Sequence, residues 1–274
     1  MATHWRSFAE NGWKGEMACA KDIIVKPITA QAANAVVKRI HYSGKVVPNS
    51  QLHFGVYIGE KLEGAMSFGP SMDKRKTLGL VKNTGWNGFL ELNRMAFSEM
   101  LPRNSESRAM AVAFKLIRKH YPHIEWIISF SDGTQCGDGA IYRAAGFNLC
   151  GIKENKTILL MPSGEVIADK TLNNSNYIKK GESAGYWKKN GAKPLEGFQL
   201  RYIYFLNHEA RERLTVPVLP FSKISDMGAS MYKGEKITRV KQAMTGDQPE
   251  QRRRDTDPPA PIYAEHQPFA EVTE

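Results

Sequence analysis

The sequence predicts an α/β fold with a central mixed sheet, on three observations. Glu125-Trp126-Ile127-Ile128-Ser129-Phe130-Ser131 is a short apolar run rich in β-branched and aromatic residues, the pattern of a buried strand. A polar loop and a short helix, Ala140 to Ala145, follow it; the helix stops at Gly146, a natural left-handed cap, before a second strand over Phe147–Ile152. Strand-like and helix-period segments also alternate through the preceding hundred residues. The loop between the two strands, Ser131 to Gly139, carries three glycines, two aspartates and a serine. Ligands gather where strands of such sheets end in loops; the plainer alternative is a turn with a surface tyrosine, Tyr142.

The remaining elements follow in order. Met1 to Ala20 shows no period, and residues 1–21 read as an N-terminal arm. Asp22 to Pro27 is a first strand closed by its proline. Thr29 caps a helix with Ala33, Val36, Val37 and Ile40 on one face, running out at His41-Tyr42-Ser43-Gly44-Lys45. Leu52–Ile58 and Lys61–Phe68 form a hairpin around Gly59-Glu60. After a loop rich in Lys, Gly and Asn, Phe89–Phe97 is the next strand. A long helix opens near Leu101–Arg108, turns Ala109, Ala113, Leu116 and Ile117 inward, and ends near His120-Tyr121-Pro122. Past Ile152 come a short strand over Thr157–Met161, a polar basic segment and an aromatic strand over Gln199–Leu206. The period disappears near Gly228, so 22–227 is the expected domain and 228–274 an expected disordered tail with Arg252-Arg253-Arg254 and Pro258-Pro259-Ala260-Pro261.

A hydrophobic fraction of 42% in 274 residues is enough for one core. No apolar run approaches a membrane span, and no signal-peptide core stands at the N-terminus. Cys19, Cys136 and Cys150 make no C-x-x-C pair, which suits a reducing cytoplasm. The net charge is +10; from Val240 onward four basic and seven acidic residues give −3, so the first 239 residues carry +13. A basic body calls for a polyanionic partner, nucleic acid first, or is plain solubility charge. The segment from Tyr177 to Lys193 concentrates Lys179, Lys180, Lys188, Lys189 and Lys193 between aromatics. Those lysines suit DNA phosphates and the aromatics a displaced base, or the segment is a solvated loop.

The order β-α-β-β-β-α-β-α-β closed by an aromatic strand resembles the GNAT acyltransferase plan, and Tyr142-Arg143-Ala144-Ala145-Gly146-Phe147 is similar to its closing helix and turn. Five motifs narrow the resemblance: His41-Tyr42-Ser43, Glu91-Leu92-Asn93-Arg94, Arg103-Asn104-Ser105-Glu106-Ser107-Arg108, Ser131-Asp132-Gly133, and Arg201-Tyr202-Ile203-Tyr204-Phe205. Together, over roughly residues 22–207, they resemble the Mom family of phage DNA-modification proteins. The resemblance implies a transferase converting adenine in double-stranded DNA to N6-carbamoylmethyladenine, shielding phage DNA from restriction in the host cytoplasm. It implies His41, Arg94, Ser107 and Tyr142 as functional residues, with Asp132 a fifth.

A small-molecule group donor is implied too, acetyl coenzyme A or another acyl donor, and a homodimer is compatible. Arg103, Asn104, Ser105, Ser107 and Arg108 are the residues expected to hold the donor's anionic end at a helix N-terminus. The match to the GNAT pyrophosphate motif stops at the leading arginine: Glu106 and Arg108 stand where glycine and a small residue are expected. The alternatives are an N-acetyltransferase acting on a small-molecule or protein amine, and a non-catalytic DNA-binding protein.

Adenine's exocyclic amine is a poor nucleophile, its lone pair being delocalised into the ring, so it needs a base and a pocket outside the stack. His41 suits the base, unless it merely ends its helix. Tyr142 suits a proton donor to a departing thiolate, or packs. Asp132 can orient a base, bind adenine's edge or make an Asx-turn. A buried Arg94 on a central strand needs a carboxylate or phosphate partner, and the plainer alternative is a structural pair with Glu91 or a neighbouring acid. Ser107 faces an anion site or simply starts a helix. His41, Asp132 and Asp138 have the ligand chemistry for iron or another cation.

Overall fold

In a computed structural model, the described residues are 19–232 and 235–236. Most of the predicted arm, including Lys14, and nearly all of the tail beyond Tyr232 lie outside them. Along the chain, β1 (Ile24–Pro27), α1 (Ala30–Ile40), β2 (Leu52–Ile58), β3 (Lys61–Gly69), α2 (Lys74–Leu78), β4 (Phe89–Phe97), α3 (Ser105–His120), β5 (Trp126–Asp132), α4 (Ala140–Ala144) and β6 (Asn148–Glu154) reproduce the expected order. The only addition is α2, in the stretch read as a loop; Asp73 starts it by accepting from the Lys76 N–H. Next come β7 (Ile158–Leu160), β8 (Val166–Ala168), α5 (Asp169–Leu172), α6 (Ser175–Lys179), α7 (Ala184–Lys189), β9 (Lys193–Pro194) and β10 (Phe198–Phe205). The chain closes with α8 (Glu209–Glu212), α9 (Ser222–Asp226), β11 (Met231–Tyr232) and β12 (Glu235–Lys236).

Seven strands form one mixed sheet in the order β1-β2-β3-β4-β5-β10-β6. Its pairs are antiparallel except β4 with β5, which α3 connects as a crossover helix. One face packs Phe54, Met66, Phe68, Leu90, Leu92 and Ile127 against Ala109, Met110, Ala113, Phe114 and Ile117 of α3. The other buries Phe89 and Trp126, stacked at 4.4 Å, with Ile128, Ile203 and Phe205 beneath Ala210 of α8. A central strand covered on both faces must be apolar along its length, which is why Trp126-Ile127-Ile128 reads as an unbroken run.

The segment read as a polar basic stretch is a small folded module inserted between sheet neighbours β6 and β10. Strands order as β8-β7-β9, and Leu159, Met161, Ile167, Leu172, Ala184 and Ala192 form a separate core. Asn155 latches the entrance: its Oδ1 accepts from the N–H groups of Thr157 and Ile158, and its Nδ2 donates to the carbonyls of Ile158 and Leu195. The packed chain also runs past the expected boundary at residue 227. Ala229 and Met231 are buried, and Met231 accepts from the Asp138 N–H beside a bridge between Gly137 and Tyr232.

Candidate active site

The site begins where the sheet comes apart. β4 and β5 pair only from Phe89–Trp126 to Glu91–Ile128. Beyond that point β4 stays bonded to β3 and β5 to β10, so two central strands diverge toward their carboxyl ends. Strand backbone at such an opening has hydrogen-bonding capacity that the sheet does not use. A crossover helix starts at the carboxyl end of the strand before it, which brings the start of α3 to this same end.

Three connections deliver side chains here. The turn after α1 brings His41 and Tyr42, whose rings lie 4.3 Å apart. Arg94 pins that turn, donating from Nε to the Lys45 carbonyl at 2.8 Å and from a terminal nitrogen to its own strand at Asn93. Two of the arginine's donors thus go to carbonyls; among the described residues it forms no ion pair to Glu91, which acts on it as a nearby charge. The loop after β5 brings Asp132 and Cys136. Asp132 Oδ1 accepts from both the N–H (3.0 Å) and the hydroxyl (2.6 Å) of Thr134, the Asx-turn alternative realised. α4 brings Tyr142, buried between Phe147 and Tyr202 at ring separations of 5.3 and 5.2 Å. α4 can sit this close because Gly139 takes φ +84°, where a Cβ would meet the Tyr202 ring at 2.5 Å.

Burial and mutual charge set the protonation pattern. Desolvation, with Arg94 nearby, lowers His41 to about 4, so it is a neutral imidazole at neutral pH. Its Nδ1 accepts from the Ser43 N–H at 3.2 Å and lies 2.9 Å from the Ser43 hydroxyl. The neutral ring therefore carries its proton on Nε2, and His41 presents a donor to the site. In that tautomer the basic nitrogen, Nδ1, is turned to Ser43. Tyr42 is held far above the ordinary phenol range by desolvation, then by Cys136 and Asp132. With 53% of its surface exposed, solvent on the open side softens that shift. Desolvation also raises Cys136 and Glu91, the latter despite help from Ser71, Asn93 and Arg94. Tyr142 is pushed up to about 12 by burial, partly offset by the Ser129 hydroxyl beside it.

The structure thus joins His41, Arg94, Asp132 and Tyr142 through shared neighbours Tyr42, Glu91 and Cys136. Sequence reasoning had no signal for Cys136 as a member. Tyr42 stood only as a neighbour of His41, and Glu91 only as a partner for Arg94. Ser107 is not tied to this cluster: its hydroxyl donates to the Asn104 carbonyl at 3.1 Å. Ser105 is buried and donates to Pro102, so its proton is spent inside the turn. Asn104 adopts φ +71° and does not cap α3 with its side chain, while Glu106 occupies the first turn. What remains for an anion is the helix start itself with exposed Arg103 and Arg108.

The expected cation set does not assemble. Asp138 pairs with Arg143 at 3.2 Å, and among the described residues no three His, Cys, Asp or Glu side chains converge as ligands. Lys179, Lys180, Lys188 and Lys189 are exposed on α6, α7 and the turn between them. Lys188 is partly engaged, 3.9 Å from Asp169 Oδ2 and 3.5 Å from the Lys156 carbonyl. Tyr177 and Trp187 pack on the module's own core, which leaves exposed Tyr186 as the aromatic beside the lysines. The module leaves and re-enters the sheet at the pair Glu154–Phe198, and the next β10 residue, Gln199, is opposite Asp132. The module is therefore attached at the same end of the sheet as the cluster.

A sequence profile of the Mom protein family matches residues 22–223. The chain is 37% identical over 211 residues to the methylcarbamoylase mom of Escherichia phage Mu, covering 74% of this chain and 85% of that protein. Among solved structures, Arabidopsis thaliana NAA60 in complex with a bisubstrate analogue aligns with a TM-score of 0.41 at 10% identity, covering 67% of this chain and 97% of that one. FeeM, an N-acyl amino acid synthase from uncultured soil microbes, aligns with a TM-score of 0.40 at 16% identity, covering 70% and 95%.

Proposed function

Because this chain belongs to the Mom protein family, we propose that it is a phage DNA-modification transferase that converts adenine in double-stranded DNA to N6-carbamoylmethyladenine, protecting that DNA from host restriction. The observation that carries the reading is the convergence of His41, Arg94, Asp132 and Tyr142 at the opening between β4 and β5, beside a basic inserted module. DNA reaches that end of the sheet inside the host cytoplasm, and no helix among the described residues is long and apolar enough to cross a membrane.

Each residue then has a chemical task. As the amine's nitrogen bonds to the incoming carbon, its proton becomes acidic and a weak base suffices. Asp132 is that base: Oδ1 is occupied by Thr134, which orients the carboxylate, and none of the described residues donates to Oδ2. His41 Nε2–H and the Tyr142 hydroxyl are donors for charge developing on the partner. Burial pushes Tyr142 up to about 12, which disfavours complete proton transfer to a thiolate. Tyr142 therefore stabilises by hydrogen bonding rather than by giving up its proton. Arg94 positions the His41 turn through Lys45.

A small-molecule donor completes the reading. The start of α3, with Arg103 and Arg108, would hold the anionic end of a coenzyme-type donor, and Glu106 in the same turn opposes one. For the carbamoylmethyl product the donor would have to deliver CH2–CO–NH2 through its CH2 carbon. The bond from that carbon to its leaving group breaks as the C–N bond forms and the amine's proton passes to Asp132; acetyl coenzyme A alone would give N6-acetyladenine. The test is mass spectrometry of nucleosides from cells expressing the parent chain or Asp132→Asn. A mass-shifted deoxyadenosine in the parent, lost in the variant, supports the reading. Unmodified DNA with an acetylated amine would replace it with N-acetyl transfer, and no product at all with a DNA-binding role.

A further inference from the structure

A second feature lies at the opposite end of the same two strands. A cavity of about 510 Å³ opens there, lined by Gln51, Lys74, Trp86, Asn87, Tyr121 and His123 over an apolar floor that includes Phe89, Leu90 and Ile124. None of the cluster residues lines it. Trp86 is 54% and Tyr121 41% exposed, a large apolar area for a folded chain to leave in water. The Lys74 ammonium stands over the indole of Trp86 at 4.6 Å and donates to Asn87 Oδ1 at 3.0 Å.

These aromatics are presented on anchored backbone. Gly88 closes its turn by donating to the Gly85 carbonyl, and Thr84 is held between the Val81 carbonyl and the Trp126 indole N–H. The Gly88 carbonyl accepts from the Glu125 N–H, tying the Trp86 loop to the connection that carries Tyr121 and His123. An anchored backbone has little freedom to lose on binding. The charge around the aromatics is mainly positive: Lys74, Arg75 and Lys76 open α2, and Lys119 and His120 lead into Tyr121. Of the nearby acids, Asp73 caps α2 and keeps its charge, and Glu125 is paired with Arg213.

We propose that this groove is a second nucleic-acid subsite that takes an unpaired stretch of DNA, a base stacking on Trp86 and Tyr121 while a phosphate meets Lys74. Planar aromatic walls beside cations suit a base with its phosphate, and stacking accepts any base because every base has a π-face. An apolar peptide would make no use of the Lys74 charge, which a phosphate matches. The inference rests on the DNA reading above. It adds that the chain grips DNA away from the reacting adenine, about 13 Å along β4 from Leu90 to Arg94 at the ordinary strand rise.

The test uses the full chain and a fluorescein-labelled oligothymidylate of about ten nucleotides, a length within single-strand site sizes and free of the target base. Trp86→Ala and Tyr121→Ala should each weaken its binding by about tenfold or more, and Trp86→Phe by less than about threefold. Unlabelled oligothymidylate should also quench parental tryptophan emission more than that of Trp86→Phe. Parental affinity in both alanine variants would overturn the proposal, as would competition by free dTMP as strong as by the oligomer, which would make the groove a mononucleotide site. Adenine modification, measured in parallel, separates the two ideas. Unmodified adenine with Trp86-dependent oligothymidylate binding sinks the transferase reading and keeps the subsite; modified adenine with Trp86-independent binding does the reverse.

Discussion

Replacing Tyr142 by phenylalanine separates chemistry from packing at the most deeply buried member of the cluster. The ring keeps its contacts with Phe147 and Tyr202, so no cavity is made. Only the hydroxyl beside Ser129 is lost, and a weakly satisfied buried hydroxyl is worth about 1 kcal/mol or less. Urea unfolding of Tyr142→Phe should therefore shift by no more than about 1 kcal/mol, whereas Tyr142→Ala, which empties the ring's volume, should lose about 3–5 kcal/mol. Removing one preorganised donor from charge that develops during reaction costs roughly 10²–10³ in rate. Modified deoxyadenosine formed per unit time by purified Tyr142→Phe should fall by that factor, with the circular dichroism spectrum unchanged. Near-parental modification would refute the donor role and return Tyr142 to a packing residue. A phenylalanine variant destabilised as much as the alanine variant would refute the packing half of the argument.

Three further outcomes follow from the same geometry. His41 stays neutral in the fold down to about 4, while an unfolded histidine binds its proton near 6.5, so stability is full above that value and falls as pH drops toward 4; allowing for its partial exposure, the loss is about 1–2 kcal/mol, visible in urea titrations at pH 7 and 4.5 and smaller in His41→Gln. Alanine at Lys179, Lys180, Lys188 and Lys189 together should flatten the salt dependence of duplex binding by about three units at roughly 0.9 per phosphate contact, with Lys188→Ala the weakest single change because Asp169 already neutralises part of its charge; an unchanged slope would make the module's basic face a solvated surface. Met231→Ala should cost about 2–4 kcal/mol in thermal or urea unfolding, because Met231 fills space against Gly133 and Gly197; a chain ending at Gly228, which lacks Ala229 as well, should be less stable still, and an unchanged midpoint would show that this packing adds nothing.

Local periodicity determined the strands and helices of the body. Trp126-Ile127-Ile128 had to be covered on both faces, and Ala33, Val36 and Val37 had to face a core, because apolar burial acts on whatever pattern the chain presents. The motifs also marked His41, Arg94, Asp132 and Tyr142 by residue type. Tertiary structure alone decided what those side chains do. The tautomer of His41 depends on Ser43 closing back on it, and Arg94 donates to the carbonyls of Lys45, on a distant turn, and of Asn93 rather than to Glu91. Cys136 joined the cluster only because the β5 loop folds toward Tyr42, a contact across nearly a hundred residues that leaves no local pattern. The inserted module leaves no period in the sequence because its core is assembled from single apolar residues on elements of two to six residues and on the turns between them. Divergence of β4 from β5 is likewise a property of pairing partners, not of either strand's composition: both read as ordinary strands until the sheet assigns their ends to different neighbours.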